Sequence, residues 1–339
     1  MGMEMIRVDP FDDGAVDDWW SAYAHAERAD RGAKAVVWTR EESRSELQQE
    51  SSVVDRRAYL LRAGSVIVGS AGIGLPRKDN THVAHLSVSV PPAHRRRGFG
   101  SAALTFLEAE AAASGRRVAQ GQTSWPYALG PDGTGSPGRE FARHHGYALA
   151  LGDVQSRLDL PLDPSLVDRV TRDITSAVDG YEIRSWVGPV PDDVVEGWSV
   201  LDASIETEAP SGDLEIEAAT PDVASIRENE DLLERQGRTS FGTIALDRAG
   251  EAAAYTQLVV SSADGNAYQW GTLVRRADRG HKLGTAVKVA NLRMLQRTAP
   301  QTRTVYTYNA ESNARMLAVN TLLGFFPSER MGELQKRLS

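Results

Sequence analysis

The sequence predicts a mixed α/β fold built as two domains, and three observations support this prediction. Short β-rich runs alternate with segments of helical periodicity along the whole chain. The length of 339 residues exceeds the usual size of a single domain. The order helix–helix–strand–strand–strand–turn–helix–strand–helix occurs twice. A duplication of this period indicates two domains rather than a solenoid of short repeats.

The elements of the first half follow from periodicity and turn residues. VDDWWSAYAHAERA and REESRSELQQES predict amphipathic helices, and RRAYLL, SVIVGSAGIGL and HVAHLSVSV predict three successive strands. A helix follows, because Leu104, Leu107 and Ala111 recur at helical spacing and Gly115 is a suitable C-cap. RRVAQGQT then predicts a strand and REFARHHG a short helix, before the segment YALALGDVQSRLDL.

The second half repeats this order. YEIRSWV, TSFGTIALD, EAAAYTQLVVSS, NAYQWGTLV and TRTVYTYN predict strands, and four helical patterns lie between or after them. Aligning the halves places Val90 on Val274, Arg95 on Arg279 and Gly100 on Gly284. We therefore predict a first domain over residues 1–160, a linker over 161–180 and a second domain over 181–339.

The composition excludes several classes of protein. A net charge of −8 argues against a surface that binds nucleic acid as a whole. The absence of cysteine excludes disulfides, thiolate metal sites and cysteine nucleophiles, and we predict no metal site. No apolar run is long enough to span a bilayer, so we expect a cytoplasmic protein that does not bind membranes. We also expect a monomer or a homodimer.

A basic turn joins a strand to a long helix in both halves, as HRRRGFG and as DRGHKLG. Free amides and the positive end of the helix dipole converge at such a helix start, which favours an anion such as a pyrophosphate. Gly98 and Gly100 carry no Cβ atom that would keep phosphate oxygens from the amides. The arginines add charge-assisted hydrogen bonds. The alternative is a solvated basic helix start.

Other phosphate sites fit less well. A P-loop needs Gly-Lys-Ser/Thr, which GFGSAA lacks. The residues from Gly98 to Ala103 match a dinucleotide fingerprint, but that motif should follow the first strand. An acidic residue should stand about 20 residues further on, where this chain has Gln120. A nucleic-acid site would spread its basic or aromatic residues along a face.

VSVPPAHRRRGFGSAAL resembles the acetyl-CoA-binding motif of the GNAT family of N-acetyltransferases, a V-x-V strand followed by R/Q-x-x-G-x-G/A. TLVRRADRGHKLGTAVK resembles it again, with Lys282 where the first glycine is expected. TYNAESNARMLAVNTLLGF is similar to the distal signature of the family. The resemblance implies two GNAT-type domains in tandem and the following acetyl-CoA-binding residues: Val88, Val90, Arg95, Arg96, Arg97, Gly98, Gly100, Ser101, Thr272, Val274, Arg279, Gly280, His281, Lys282, Gly284, Thr285, Asn309 and Asn313.

The resemblance also implies a reaction in which an amine attacks the thioester directly, without an acyl-cysteine. Many family members place a tyrosine acid four residues before the terminal Gly-Phe, but Ala142 and Asn320 stand there. Tyr306 and Tyr308 lie on the neighbouring strand, and either could replace this tyrosine. The candidate catalytic residues are Tyr308, Asn320 itself and His85 as a base relay.

An acidic loop in the second half, SIETEAPSGDLEIEA, provides candidate substrate-binding residues. Glu206, Glu208 and Asp213 would attract a cationic amine, and the alternative is a solvated acidic loop. We expect an acetyltransferase that acts on a primary amine of a small molecule, with catalysis in the second half and CoA binding possible in the first. A non-catalytic CoA-binding scaffold is the alternative, because the tyrosine acid is missing.

Overall fold

The computed structural model describes residues 2–29 and 31–338. The strands are β1 (Met3–Arg7), β2 (Val54–Ala63), β3 (Val66–Pro76), β4 (Val83–Ser89), β5 (Val118–Pro126), β6 (Ala148–Asp159), β7 (Glu182–Val187), β8 (Arg238–Leu246), β9 (Ala252–Ser261), β10 (Asn266–Val274), β11 (Thr304–Ala310) and β12 (Phe326–Arg337). The helices are α1 (Asp13–Arg28), α2 (Arg40–Gln48), α3 (Phe99–Ala113), α4 (Pro137–His144), α5 (Pro164–Thr175), α6 (Val195–Ala203), α7 (Ile205–Glu208), α8 (Val223–Arg235), α9 (Leu283–Thr298) and α10 (Ala314–Leu322).

The chain divides into two compact units that are not contiguous in sequence. The first comprises Met1–Asp153, Gly212–Ile216 and Glu329–Ser339, and the second comprises Val154–Ser211 and Glu217–Ser328. Strands β6 and β12 are thus each divided between the units. This differs from the predicted division into 1–160 and 181–339, because a sequence repeat does not reveal which unit a terminal strand joins.

The first unit is a mixed sheet in the order β1-β2-β3-β4-β5-β12. Strands β4 and β5 are parallel, and their neighbours pair antiparallel. One face carries the main core, in which Leu104, Leu107 and Ala111 of α3 pack against the apolar residues of β3 and β4. These are the three residues whose spacing predicted the helix. The last strand of the chain, through Glu329–Arg337, completes this sheet beside β5.

The second unit repeats the arrangement with the order β6-β11-β10-β9-β8-β7. Strands β10 and β11 are parallel, and α9 packs its Leu292 and Leu295 into the core. The segment predicted as a linker, 161–180, contains α5 at the place where the sequence indicates a polar helix-like segment. One face of α5 is apolar, and its Val170 and Ile174 are buried in this core, so the segment packs as part of the second unit.

Each parallel pair separates before its strands end. β4 pairs with β5 only from Val83 to His85, although it stays paired with β3 as far as Ser89. β10 pairs with β11 only from Asn266 to Gln269, although it stays paired with β9 as far as Val274. A gap therefore opens between β4 and β5 in the first unit and between β10 and β11 in the second. One strand beside each gap, β4 or β10, continues into the basic turn.

Candidate functional site

The first basic turn leaves β4 and enters α3 through two residues of positive φ. Arg96 has φ 61° and Gly98 has φ 84°, and Gly98 is the N-cap of α3. The Arg95 Nε donates to the Val90 carbonyl at 3.0 Å, which fixes the turn to the end of the strand. Arg96, Arg97 and Gly98 are exposed. The amides of the first helical turn have no partner within the helix, so the turn can accept an anion.

The second basic turn has the same backbone but a different sequence. Gly280 has φ 95° and aligns with Arg96, whereas Lys282 has φ 53° and aligns with Gly98. The Arg279 Nε again donates to the valine carbonyl at the end of the strand, that of Val274, at 3.4 Å. Glycine and a basic residue have therefore exchanged places. This is why Lys282 stands where the motif predicts glycine.

An acidic side chain holds the arginines of the second turn. The carboxylate of Glu208, on α7, accepts from Arg279 Nη2 at 2.7 Å and from Arg276 Nη2 at 3.1 Å. The hydrogen bonds from Arg276 and then Arg279 keep the pKa of Glu208 below its usual value, against a smaller desolvation effect. Lys282 Nζ donates to the Asp173 carbonyl at 3.0 Å.

The other residues predicted around the first turn lie on β4 and α3. Val88 and Val90 pack against the core, and a Cβ atom on Gly100 would lie 3.2 Å from the ring of Phe141. The Ser101 hydroxyl lies 2.9 Å from His145 Nε2, a partner that the sequence did not predict. These residues support the turn from within the unit.

His85 lies where β4 and β5 separate, since it is the last residue of β4 that pairs with β5, opposite Gln120. The surrounding protein, and to a lesser extent the charge of Arg56, lowers the pKa of its imidazole. A neutral imidazole at this place can accept a proton. The position is compatible with the predicted relay.

The predicted residues of the second turn have mainly structural partners. Thr272 and Thr256 hydroxyls are 2.7 Å apart, and His281 packs on Tyr181 with ring centroids 5.6 Å apart. Thr285 is buried, and its amide bonds the Lys282 carbonyl at 3.1 Å. Gly284 leaves room for Val274, whose Cγ2 would lie 3.5 Å from an added Cβ atom.

Asn309 and Asn320 form part of a buried polar chain. The Asn320 amide donates to Asn309 Oδ1 at 2.6 Å, and Asn320 Oδ1 accepts from Lys288 Nζ at 2.7 Å. Lys288 is 1% exposed, and burial lowers its pKa to about 7. Asn320, itself only 2% exposed, therefore holds an interior lysine that the sequence did not single out.

Asn313 and Tyr308 have local partners. Asn313 is the N-cap of α10, and its side chain accepts from the Met316 amide at 3.2 Å. The Tyr308 hydroxyl donates to Gln155 Oε1 at 2.9 Å, within the second unit.

The three predicted substrate-binding carboxylates belong to different units. Glu206 lines a cavity of the second unit, and Glu208 pairs with the arginines of the turn. Asp213 belongs to the first unit, where its amide donates to the Ala150 carbonyl at 2.9 Å and its carbonyl accepts from Gln335. A substrate site formed by all three remains a prediction.

The cavity of the second unit has a volume of about 250 Å³ and borders the bulge in β10. Its lining includes two tryptophans, Trp198 and Trp270, and two carboxylates, Asp202 and Glu206. Trp270 is the extra residue of the bulge, between Gln269 and Gly271. Apart from Glu206, sequence reasoning missed this group, because its members come from α6, α7, α8, β9 and β10.

The first unit holds a pair of acidic groups that sequence reasoning also missed. Glu333 of β12 accepts from Gln122 of β5 at 2.7 Å. Burial, with the charge of Asp153, raises the pKa of Glu333 to about 7, and burial raises that of Asp153 to about 6. No motif indicated this pair, because β12 comes from the far end of the chain.

Comparisons with known proteins agree with this geometry. The model of the acetyltransferase (GNAT) family matches residues 16–122. The chain also resembles a tandem GNAT protein from the clavulanic acid biosynthesis pathway, solved without AcCoA, at 27% identity and a TM-score of 0.79, over 100% of this chain and 99% of that one. Residues 16–122 thus match the GNAT family, and the chain as a whole resembles a tandem GNAT protein. These findings confirm the resemblance seen in the two motifs and the mixed α/β fold predicted from the alternation of strands and helices.

More distant structures share the fold of this chain. A GCN5-related N-acetyltransferase from Sphaerobacter thermophilus is 14% identical, with a TM-score of 0.65, over 99% of this chain and 96% of that one. Saccharomyces cerevisiae N-myristoyltransferase, solved with myristoyl-CoA, is 10% identical, with a TM-score of 0.59, over 98% and 80% of the two chains. No curated protein matches by sequence.

The GNAT family, whose model matches the part of the chain that contains the first turn, generally uses acyl-CoA. An added Cβ atom on Gly98 would meet nothing within 4 Å, so the space beside these amides is open, and Arg96 and Arg97 are exposed beside it. The second turn has the same backbone conformation, and its arginines donate hydrogen bonds to Glu208. Within residues 2–29 and 31–338, no helix is long and apolar enough to cross a membrane.

Proposed function

We propose that the chain transfers an acetyl group from acetyl-CoA to the primary amine of a small molecule, as a cytoplasmic enzyme that is a monomer or homodimer. The coarser activity, acyl transfer from acyl-CoA to nitrogen, is that of the family. One observation carries the assignment to the second unit. A single strand, β10, lines the cavity with Trp270 and Gly271 and then continues into the arginine turn.

The residues of the second unit have separable tasks in this proposal. Arg276, Arg279 and the amides that follow Lys282 would hold the pyrophosphate, and bound acetyl-CoA supplies an activated acyl group. The gap between β10 and β11 would admit the pantetheine arm. Tyr308, at the end of β11, is the proposed proton donor, since Asn320 is buried against Lys288. The first unit would bind acetyl-CoA at Arg95, Arg96, Arg97 and Gly98.

The alternative is a CoA-binding scaffold without catalysis. It is supported by the side chains that replace the family tyrosine, Ala142 and Asn320, neither of which has an acidic proton. The two functions differ in one measurable respect. An enzyme releases the CoA thiol in the presence of an amine, whereas a scaffold only binds CoA.

The test uses the purified full chain with acetyl-CoA and a panel of small primary amines. We expect release of free thiol above the no-enzyme rate with at least one amine, and an N-acetylated product by mass spectrometry. R276Q/R279Q is the matched variant, because it removes two positive charges from the second turn only. It should raise the KM for acetyl-CoA, whereas R143Q, an exposed arginine of α4, should not. CoA binding by calorimetry without thiol release for any amine would establish the scaffold instead.

A further inference from the structure

The end of helix α4 packs against the first turn of helix α3. The hydroxyl of Ser101, in the first turn of α3, lies 2.9 Å from Nε2 of His145, the C-cap of α4. The rings of His145 and Phe141 have centroids 4.6 Å apart, and a Cβ atom on Gly100 would lie 3.2 Å from the Phe141 ring. Two rings from one helix end therefore lie against the helix start that follows the first basic turn.

Ser101 lies at the end of α3 where an anion would bind. The amide of Ala102 donates to the Gly98 carbonyl at 3.0 Å, and the three amides before it belong to the first turn, which has no partner inside the helix. Side chains of a helix tilt toward its N-terminus, so the Ser101 hydroxyl lies on the side of these amides. A hydroxyl at this place can donate to the same anion as the amides.

The protonation state of His145 decides which hydrogen bonds the Ser101 hydroxyl can make. A neutral imidazole carries one N–H, so Nε2 either accepts from the hydroxyl or donates to it. An imidazolium carries an N–H on both nitrogens, so Nε2 can only donate. The hydroxyl oxygen then accepts from the ring, and its own hydrogen is free for a phosphate oxygen. Protonation therefore adds both a donor and a positive charge at the helix start.

Several groups act on the charge of the His145 ring. The surrounding protein lowers the pKa of the imidazole most, and the charge of His144 and then that of Lys336 lower it further. The carboxylate of Glu108, further along α3, acts in the opposite direction. This carboxylate accepts from Lys336 Nζ at 2.8 Å and from the Tyr147 hydroxyl at 2.9 Å. The ring is therefore mostly neutral at pH 7, and an anion bound beside it would favour its charged form.

The corresponding residues of the second unit differ. Thr285 corresponds to Ser101, and Leu323 corresponds to His145. Thr285 is buried, and Leu323 belongs to the core of the second unit. A leucine side chain neither donates to a hydroxyl nor accepts from it, and it does not titrate. The pairing of a hydroxyl with an imidazole therefore distinguishes the first turn from the second.

We propose that His145 is a positioning residue for CoA at the first turn, where its protonated ring directs the Ser101 hydroxyl toward the pyrophosphate and makes CoA bind more tightly as the pH falls. The inference rests on the proposed function in one respect: it takes the first turn as a CoA site. The gain in affinity develops as the pH falls below the pKa of the ring in the CoA complex. It levels off below the pKa of the ring in the free chain.

The test measures binding without an acceptor amine, so it is independent of catalysis. The full chain is titrated by calorimetry with CoA and with dephospho-CoA, which carries only the pyrophosphate, between pH 8.0 and pH 6.0. The site of interest is the one that R96Q/R97Q weakens. At this site we expect the affinity of the wild type to rise about three- to tenfold more than that of H145Q, for both ligands. Glutamine keeps a hydrogen-bonding amide near Ser101 but does not titrate in this range.

Two further variants and one spectroscopic readout complete the design. H144Q removes an exposed imidazole from the same end of α4 and should keep the pH dependence of the wild type. S101A should weaken CoA binding more at pH 6.0 than at pH 8.0, because the protonated ring leaves the hydroxyl free for phosphate. Histidine resonances in NMR spectra, assigned by comparison with H145Q, should show that dephospho-CoA raises the pKa of His145.

Three results would overturn the proposal. The first is an H145Q variant that keeps the pH dependence of the wild type. The second is a pKa of His145 that does not change when dephospho-CoA binds. The third is a pH dependence that is lost in H94Q and kept in H145Q, which would assign it to the histidine of the turn itself.

The outcomes separate this inference from the proposed function. If CoA binding depends on His145 as expected and no amine is acetylated, the positioning role stands and the transferase assignment falls. If R96Q/R97Q weakens CoA binding and H145Q leaves the pH dependence unchanged, the CoA site at the first turn stands and the positioning role falls. If R96Q/R97Q does not weaken CoA binding, both the CoA site at the first turn and the positioning role fall.

Discussion

The turn after β4 and the turn after β10 place positive φ at the same two positions, yet they distribute glycine and charge differently. In the first turn Arg96 and Gly98 occupy these positions, and in the second Gly280 and Lys282 do. Arg96 and Arg97 are exposed, whereas Arg276 and Arg279 share the carboxylate of Glu208. We therefore expect the two turns, which share one backbone conformation, to bind an anion with different affinities.

The long helices that follow the turns differ in the same way. Leu104 of α3 aligns with Lys288 of α9, and Ala142 of α4 aligns with Asn320 of α10. Leu104 and Ala142 are buried in an apolar core, whereas Lys288 and Asn320 hydrogen-bond each other in the second unit. The two differences between the halves occur together, because a buried amine needs a hydrogen-bond acceptor. An apolar core needs neither the amine nor the acceptor.

The largest effect is expected when the polar pair is replaced by the residues of the first half, as K288L/N320A. Lys288 has a pKa of about 7 in the folded chain, below that of an unfolded lysine. Between these values the unfolded chain binds one more proton, so this lysine makes the wild type more stable as pH rises. The stability advantage of the double variant over the wild type should shrink by up to about 4 kcal/mol between pH 7 and pH 10. Urea unfolding at several pH values measures this difference.

The single variants complete this cycle. K288L alone leaves Asn320 Oδ1 without its lysine donor, and N320A alone leaves the amine without its acceptor. Each should be less stable than the double variant at pH 7, because a buried polar group without a partner costs about 1–3 kcal/mol. A stability difference that does not change with pH would show that Lys288 is charged in the folded chain.

The second prediction concerns the turns themselves and compares R96Q/R97Q with R276Q/R279Q. Each variant removes two positive charges. Losing exposed arginines that would hold the pyrophosphate should weaken CoA binding at the first turn about 10- to 100-fold, which corresponds to the loss of one charge-assisted hydrogen bond of about 1.5–3 kcal/mol. The second variant should weaken CoA binding about threefold or less, since Glu208 already engages these arginines.

Calorimetric titration of CoA distinguishes the two sites by their affinity. R143Q is the control for a lost surface charge, because Arg143 lies on α4 and pairs with Glu140. Equal losses of CoA affinity in both double variants would mean that Glu208 does not lower the CoA affinity of the second turn. A loss confined to R276Q/R279Q would place the tighter CoA site in the second unit.

Much of the fold could be predicted because local signals agree with it. The spacing of Leu104, Leu107 and Ala111 predicts α3, and these residues do form the core contact. The repeated motif predicts two equivalent units. The destination of the last strand could not be predicted, since Glu329–Arg337 is bound to β5 by backbone hydrogen bonds that depend little on side-chain identity.

The candidate site also has features that the sequence predicts and features that it does not. A motif indicates the turns because consecutive residues form them. The motif does not indicate that Lys282 adopts a positive φ, as glycine would. It also does not indicate that Glu208 accepts a hydrogen bond from Arg279. The cavity between Trp198 and Trp270 joins residues far apart in sequence. Such contacts arise from tertiary packing, so no periodicity or spacing reveals them.

The smallest effect is expected from E208Q, which tests whether an internal carboxylate lowers the affinity of the second turn. Glutamine keeps a hydrogen-bond acceptor for Arg276 and Arg279 but loses the negative charge. In the R96Q/R97Q background, where the first turn is weakened, CoA affinity should rise about two- to fivefold. The KM for acetyl-CoA should fall by a similar factor if the second unit is the catalytic one. The gain should shrink at high salt, because both arginines are solvent-accessible.

E196Q is the matched control, since Glu196 is an exposed carboxylate of α6 in the same unit. An equal gain from E196Q would show that net charge alone controls CoA affinity. Glu208 also ends α7, the short helix that supplies Ile205 and Glu206 to the cavity. Because one short helix contacts both the turn and the cavity, CoA that displaces Glu208 should also alter the cavity. The fluorescence of Trp270, which lines the cavity, should therefore change with saturating CoA in the wild type, and less so in E208Q.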